Sequence, residues 1–532
     1  MTQEKRKFIF YSSCLYFIFI IYLSLTRYFS IGLLSDDYMV FNAAVNSSIA
    51  DKYLGNLPFT NELHLRPMVY FSFQASSFIH DILGFNYDNF ILYRFQNLVL
   101  YLLIAFFAGS IVFKQKSNLF TSIVIQVFIL FYPDNLHSIC WTTGRFELIL
   151  ALFYILAVMY VFKYSNNQKP LYLALYILFT ILALLSKETA ISLPFIAILI
   201  FYSYSTKFNK RLLIFYSINV ILFTLYILYK YSIHQGVLFN VSFSSAFIIL
   251  AEAIYSLLIP IDYLTIQNEL TGFNFFYIVF SAYVLIFFVF IFLKLKSLRQ
   301  GKEILIIVIM FIIIILPNIY SGYFRPQIIL LPFCLFLIAG FTMLKYFKFS
   351  RLNLILSLIF FLFYFIQSER TIHYWDYAYK YSIGYIKNIE SIPFENGLRK
   401  VVIGSPGRVK QSFVNDKLTG AYNYWKYDKF EIKDTINDAI LTGALDLSSL
   451  KSPLNLQRLN SGEIELSTTG NTQFFYVEGY STRELERGLQ TPDFFVRAVE
   501  RNHFNKSVKL KIKITGNPSV FIWNPDFPKK FF

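Results

Sequence analysis

Long apolar runs separated by short basic loops fill the first 368 residues of the chain. A membrane span needs about 20 mainly apolar residues, with about 17 to 25 tolerated. That rule predicts spans at 8–34, 89–113, 118–133, 144–162, 170–186, 189–205, 211–229, 274–293, 303–320, 327–344 and 352–368. One further run, 244–260, is short and carries Glu252. The basic clusters Lys5/Arg6/Lys7, Lys114/Lys116, Lys163/Lys169, Lys207/Lys210/Arg211, Lys294/Lys296/Arg299/Lys302 and Lys345/Lys348/Arg351 decide how that run is read. If it is a re-entrant or interfacial segment, all of them share one side, as the positive-inside rule expects. The reading is then about eleven spans, a cytoplasmic N-terminus and an extracytoplasmic C-terminus.

The pattern changes after Ser368. Residues 369–390 read as an amphipathic helix with an aromatic stripe, of the kind that lies on a membrane surface. Beyond it, "RKVVIGS", "QFFYVEGY", "FFVRAVE", "KLKIKITG" and "SVFIWN" read as short strands between Gly, Asn and Pro turns. The expected organisation is an α-helical polytopic membrane protein: a transmembrane bundle over 1–368, in which the loop 35–88 carries interfacial helices, and a β-rich or α/β extracytoplasmic domain over 369–532.

Composition agrees with the pattern. The 532 residues are 56% hydrophobic and 15% charged, against about 25% charged in soluble domains. The formal charge of +16 sits in short loops between apolar runs and sets topology, so it does not point to nucleic acid. Cys14, Cys140 and Cys334 have no metal or CxxC spacing, and no disulfide framework is implied.

With sidedness assigned, most of the unusual polar residues collect on the outer face. Asp36 and Asp37 follow the first apolar run directly. Adjacent side chains on a helix diverge by about 100°, so one acid is a candidate general base or metal ligand, while the plain alternative is that Ser35 or Asp36 caps the helix "DYMVFNAAVN". Further on, Arg66-Pro67 predicts a helix with Pro in its first turn, lying along the interface. The Arg66 guanidinium suits a phosphate, although an isolated interfacial arginine more often snorkels. His64 is a weaker candidate. The segment "FYPDNLHSICWTTGRFELIL" supplies His137, Arg145 and Glu147, where an Arg-Glu pair is the structural alternative. "LLSKETAISLPF" supplies Lys187 and Glu188, which invite a local pair, and "YFRPQIILLP" supplies Arg325. Together Arg66, Arg94, Arg145, Lys187 and Arg325 would form a cationic ring around one acidic pair, suited to an anionic lipid phosphate.

In their order, "SDD" after the first span, "LRPMVYFSF" with "LYRFQNLVLYLL", "YPDNLHSICWTTGRFELILALFYILA", "LLSKETAISLPFI" and "YFRPQIILLP" resemble the GT-C membrane glycosyltransferases. The likeness is to the family 39-like and TMTC-type O-mannosyltransferase group and its bacterial relatives. The resemblance implies transfer of a sugar from a polyprenyl-phosphate carrier to an extracytoplasmic acceptor, a glycan, lipid or protein, with inversion at the anomeric carbon. It implies that Asp36 or Asp37 is the base or a metal ligand, with Mg or Mn left open as cofactor. It further implies that Arg66, Arg145, Lys187 and Arg325 hold the lipid phosphate. His64, Arg94, Asn97, His137 and Glu188 fall in supporting positions. This chain departs from the pattern in carrying His137 where relatives often have an acid, and in carrying Arg94 and Tyr101, in place of two histidines, around Asn97. The rival readings are an O-antigen polymerase or ligase, a lipid or sugar transporter, and a structural scaffold.

Overall fold

The computed structural model describes residues 2–54, 66–116, 118–204, 210–233, 243–259, 301–321, 325–343 and 351–391. Beyond these it describes the strands given below and Ala421, Tyr424, Trp425 and Gly488. The protein is an α-helical membrane protein. Among the described residues six helices are long and apolar enough to cross a bilayer, or seven if one bent pair is a single span. The expected span at 274–293 lies outside the described residues.

Helix α1, Gln3–Leu25, stops well short of the expected end at 34. Thr26 turns its hydroxyl back to the carbonyls of Tyr22 and Leu23, at 3.0 and 3.2 Å, and Arg27 takes a left-handed φ of 64°. Residues 31–35 are buried in the protein as a non-helical segment. The acids therefore follow a buried loop, and the apolar residues before them belong to a protein core.

Helix α2 is Asp37–Asn46, the short α3 is Ile49–Leu54, and α4 is Pro67–Ile82 with Pro67 in its first turn, where a missing N–H costs nothing. The next helix, α5, is Ile91–Lys116. The run expected to cross at 118–133 is α6, Leu119–Leu130, and the loop expected after it begins with a helix, α7, Pro133–Cys140, which meets α6 at 61°. Pro133 causes the break, because the residue before a proline is steered to extended backbone, and Tyr132 has ψ 121°. After a single 3-10 turn at Thr142–Gly144 comes α8, Arg145–Asn167.

Helices α9, Pro170–Leu184, and α10, Leu193–Tyr204, are shorter than a span ordinarily needs. Then follow α11, Lys210–Ile233, and α12, Phe243–Leu258, which at 16 residues is also short for a crossing. Helices α13, Gly301–Ser321, and α14, Leu330–Met343, are long apolar elements. The last helix, α15, Arg351–Ser391, runs 41 residues without a break through the change of composition at 368. Its stripe of Ile372, Trp375, Ala378, Ser382 and Ile386 is buried against the protein. The face expected to lie on a membrane surface is instead covered by α7 and the segment before α2.

Each strand-like run of the C-terminal region holds a strand. Five strands order as β12 (Lys529–Lys530), β11 (Ser519–Ile522), β1 (Lys400–Pro406), β4 (Ile440–Thr442) and β7 (Phe475–Val477), with β1 parallel to both β11 and β4. A second, antiparallel set orders as β5 (Leu454–Asn460), β6 (Glu463–Thr468), β10 (Ser507–Ile514), β9 (Phe494–Asn502) and β8 (Leu489–Gln490). Strand β10 alternates, with Ile512 buried between exposed Lys511 and Lys513, as a strand with one covered face must. A small hairpin pairs β2, Arg408–Val409, with β3, Ser412–Phe413.

Two apolar clusters organise the described helices. The larger runs through α1 and α5 to α15. The smaller is mostly aromatic and joins α2, α4, the start of α5, Ile149 of α8, the end of α15 and Ala421, Tyr424 and Trp425.

Candidate functional site

Where the helices break, backbone carbonyls lose their partners, and in a water-poor bundle each must find another donor. One face of α5 supplies most of them. Arg94 and Asn97, three residues apart and so neighbours on one helix face, collect four consecutive carbonyls at the end of α7. Arg94 Nη1 donates to Ile139 O at 3.1 Å and to Cys140 O, and Asn97 Nδ2 donates to Trp141 O and Thr142 O, each at 3.3 Å. The rest of the Arg94 fork reaches the loop before α2, with Nε to Ile31 O at 2.8 Å and Nη2 to Gly32 O. One turn further along α5, the Tyr101 hydroxyl donates to Ile129 O and Leu130 O at the end of α6. The departures Arg94 and Tyr101 are thus carbonyl caps for a broken span. A planar guanidinium with five fixed donors suits this as an ammonium does not.

Arg145 is also buried, at the first residue of α8. Its Nε donates to Asn97 Oδ1 at 2.8 Å, Nη1 to Ser76 Oγ at 2.5 Å and Ser72 O at 3.2 Å, and Nη2 to Tyr93 O at 3.3 Å, while its carbon lies over the Phe73 ring. It ties α4, α5 and α8 together. Ser72 and Ser76, four apart on α4, were not singled out by sequence reasoning, and their spacing is the signal that could have found them. Gly144 lets this junction close: a Cβ there would meet Ser138 O at 2.3 Å.

The acids divide. Asp37 is fully buried; Oδ2 accepts Leu34 N–H at 2.9 Å and Oδ1 accepts Thr143 N–H at 2.7 Å. It closes its own turn and pins α2 to the 3-10 turn before α8. Burial pushes its carboxyl above the ordinary carboxylate range, against the pull of Arg94 and of the two backbone N–H groups. Asp36 stands at the N-cap, half-buried, and its side chain makes no capping bond. The expected cap is replaced by the Asp37 contact to Leu34. Ser35 carries the strain of the turn with φ 56°.

The ion pairs exchange partners relative to the local pairs expected. Lys187 reaches Glu147, and Glu188 accepts from Arg66 with Nη2–Oε2 3.0 Å and Nε–Oε2 3.2 Å. Geometry explains the exchange. Lys187 is extended, at φ −162° and ψ 150°, so its side chain and that of Glu188 leave on opposite sides. Arg145 and Glu147 are two apart on a helix and do not face each other. Glu147 is the residue of the group whose partner the sequence concealed. Arg66 also lies 4.8 Å from the Phe146 ring, as measured to its centroid.

His137 is buried and accepts at Nδ1 from Trp375 Nε1 at 2.9 Å, which places its proton on Nε2. Trp375 stacks on Trp141, and Arg325 lies over the other ring at 5.5 Å from the Trp141 centroid. His64 lies outside the described residues. The structure brings Asp36, Asp37, Arg66, Arg94, Asn97, His137, Arg145, Lys187, Glu188 and Arg325 to one end of the bundle.

Among the described residues no group of three or more His, Cys, Asp or Glu side chains is placed to hold a metal ion. Both Asp37 oxygens take backbone N–H groups, and Mg or Mn ordinarily takes only one or two carboxylates from a protein, the rest of its oxygens coming from water and substrate phosphate. No step below passes through a metal. No protein-family model matches the chain, and no curated protein matches its sequence.

Proposed function

We propose that the chain is a glycosyltransferase of the cytoplasmic membrane. It moves a sugar from a polyprenyl-phosphate donor to an extracytoplasmic acceptor, in a bundle of eleven spans with its N-terminus inside and its C-terminal domain outside. The division of the acid pair is the observation that carries this reading. Asp37 is committed to two backbone N–H groups and so fixes the turn that offers Asp36, half-buried, at the end of the bundle where Arg66, Lys187 and Arg325 also lie. A base and several cations at one apolar-walled end are what the transfer requires.

Asp36 takes the proton of the acceptor hydroxyl as its oxygen bonds to the anomeric carbon. The carbon–phosphate oxygen bond breaks on the opposite face, and the lipid phosphate leaves with the electron pair. Arg66, Lys187 and Arg325 stabilise the charge that develops there. Glu188 and Glu147 hold two of these cations before the donor enters. Arg145 and Arg94, with their donors on backbone and side-chain oxygens, are assigned to the scaffold.

The test is transfer by the purified protein in lipid nanodiscs with a panel of polyprenyl-phosphate sugars. Asp36→Asn is expected to lower kcat by about 10² to 10⁴, the usual worth of a general base, with an unchanged unfolding temperature. Full transfer by a folded Asp36→Asn protein would remove the base. Movement of substrate between leaflets with no new glycosidic bond would make the protein a transporter.

A further inference from the structure

The chain beyond α15 returns to the acid turn. Trp425, buried, donates its indole N–H to the Tyr38 hydroxyl at 2.9 Å, and that hydroxyl donates to Leu33 O at 3.0 Å. The next residue, Leu34, donates its N–H to Asp37, whose other oxygen takes Thr143 N–H. A continuous path of hydrogen bonds and one peptide unit therefore joins residue 425 to the turn that holds Asp36 and Asp37. Tyr424 beside it donates to Tyr87 O at 2.5 Å and packs against Tyr38 and Phe90. Helix α15 closes the far side, with Lys387 over the Trp425 ring and Tyr379 edge-on to Phe90. Gly32, at the foot of the same turn, has no room for a Cβ because the Tyr379 ring would lie 2.2 Å away.

We propose that Tyr424 and Trp425 are positioning residues, which dock the C-terminal region on α2 and, through the Tyr38 hydroxyl, set how Asp36 is presented to the acceptor. This rests on the transferase reading for its kinetic consequence. The mechanical part stands alone. Tyr38 is buried and its hydroxyl both accepts and donates, so losing the hydroxyl releases the Leu33 carbonyl, and losing the Trp425 N–H leaves the hydroxyl held from one side and free to turn from that carbonyl.

The experiment uses the full chain with Cys14→Ser, because Cys14 is exposed while Cys140 and Cys334 are buried. Asp36→Cys is added and its labelling rate with a water-soluble maleimide is measured. Trp425→Phe keeps a ring and loses the N–H; Tyr38→Phe loses the hydroxyl. Each is expected to raise labelling at position 36 severalfold, and the double variant to match Tyr38→Phe alone, because both act through one hydroxyl. In the Asp36 protein the same substitutions are expected to lower kcat about tenfold or more, as small misplacements of a reacting group do, with the donor KM unchanged. Unchanged labelling in both folded variants overturns the proposal, whatever the transfer assay gives. Since labelling needs no transfer, failure of the base assignment leaves this arm intact.

Discussion

The interior of α8 and the end of the bundle that carries the acids are both buried, by opposite means. Along α8 the interior is Leu148, Ile155, Val158 and Val161, all fully covered, and each helix satisfies its own backbone. At the end where α1, α6 and α7 stop, the covered residues include Arg94, Asn97, Arg145 and Asp37. The difference follows from the chain breaks. A straight helix needs apolar neighbours alone, whereas a broken one needs donors for the carbonyls it abandons, and a guanidinium supplies several from one position.

The largest expected effect breaks that end. Arg94→Ala strips donors from Ile31, Gly32, Ile139 and Cys140. At about 1–3 kcal/mol for each buried group left unmade, the loss rivals a whole stability of about 5–15 kcal/mol. No monodisperse protein is expected on size exclusion in detergent, and a folded Arg94→Ala protein would show that the carbonyls find other donors.

A smaller effect is expected at Asp37→Asn, where an NH2 replaces an oxygen that faces a backbone N–H. The loss is about 1–3 kcal/mol, read as a lower unfolding temperature, with α2 loosened from the Thr142–Gly144 turn. Its pH dependence has a definite sign. Burial raises the folded carboxyl above the ordinary 3.8, so the folded state holds this proton more tightly than the unfolded chain does. Stability from this group therefore falls as pH rises from about that value through the folded pKa, and the Asn variant lacks the slope.

The smallest effect belongs to the spans. Ile155→Val, in the middle of α8, is expected to cost about 0.5–1.5 kcal/mol, with no change in position 36 labelling. A loss as large as that of Asp37→Asn would erase the contrast between the two regions.

Much of this was legible in the chain. The apolar runs located α5, α8, α11, α13 and α14; "DYMVFNAAVN" gave α2, and Arg66-Pro67 gave the start of α4. These features are local, set by periodicity and by proline. The breaks were harder to read. An apolar stretch does not say whether it is covered by lipid or by protein, so α1 was expected to run on to 34, and the segment after 133 was expected as a loop where it forms the buried helix α7. The ion pairs were hidden for another reason. Each partner is chosen by side-chain direction across elements, as when Lys187 passes over its neighbour to reach Glu147. The contact of Trp425 with Tyr38 joins residues 387 apart in sequence and leaves no trace in local pattern.

Helix α15 has a mechanical consequence. Forty-one helical residues extend about 60 Å at 1.5 Å each, twice the about 30 Å of a hydrocarbon core. Such a rod is a shaft with two bearings near its middle, Trp375 on His137 and Asp376 on Ser30, and a third contact at Lys387 on Trp425. One continuous helix therefore holds the segment after α1, α7 and Trp425 on a single element.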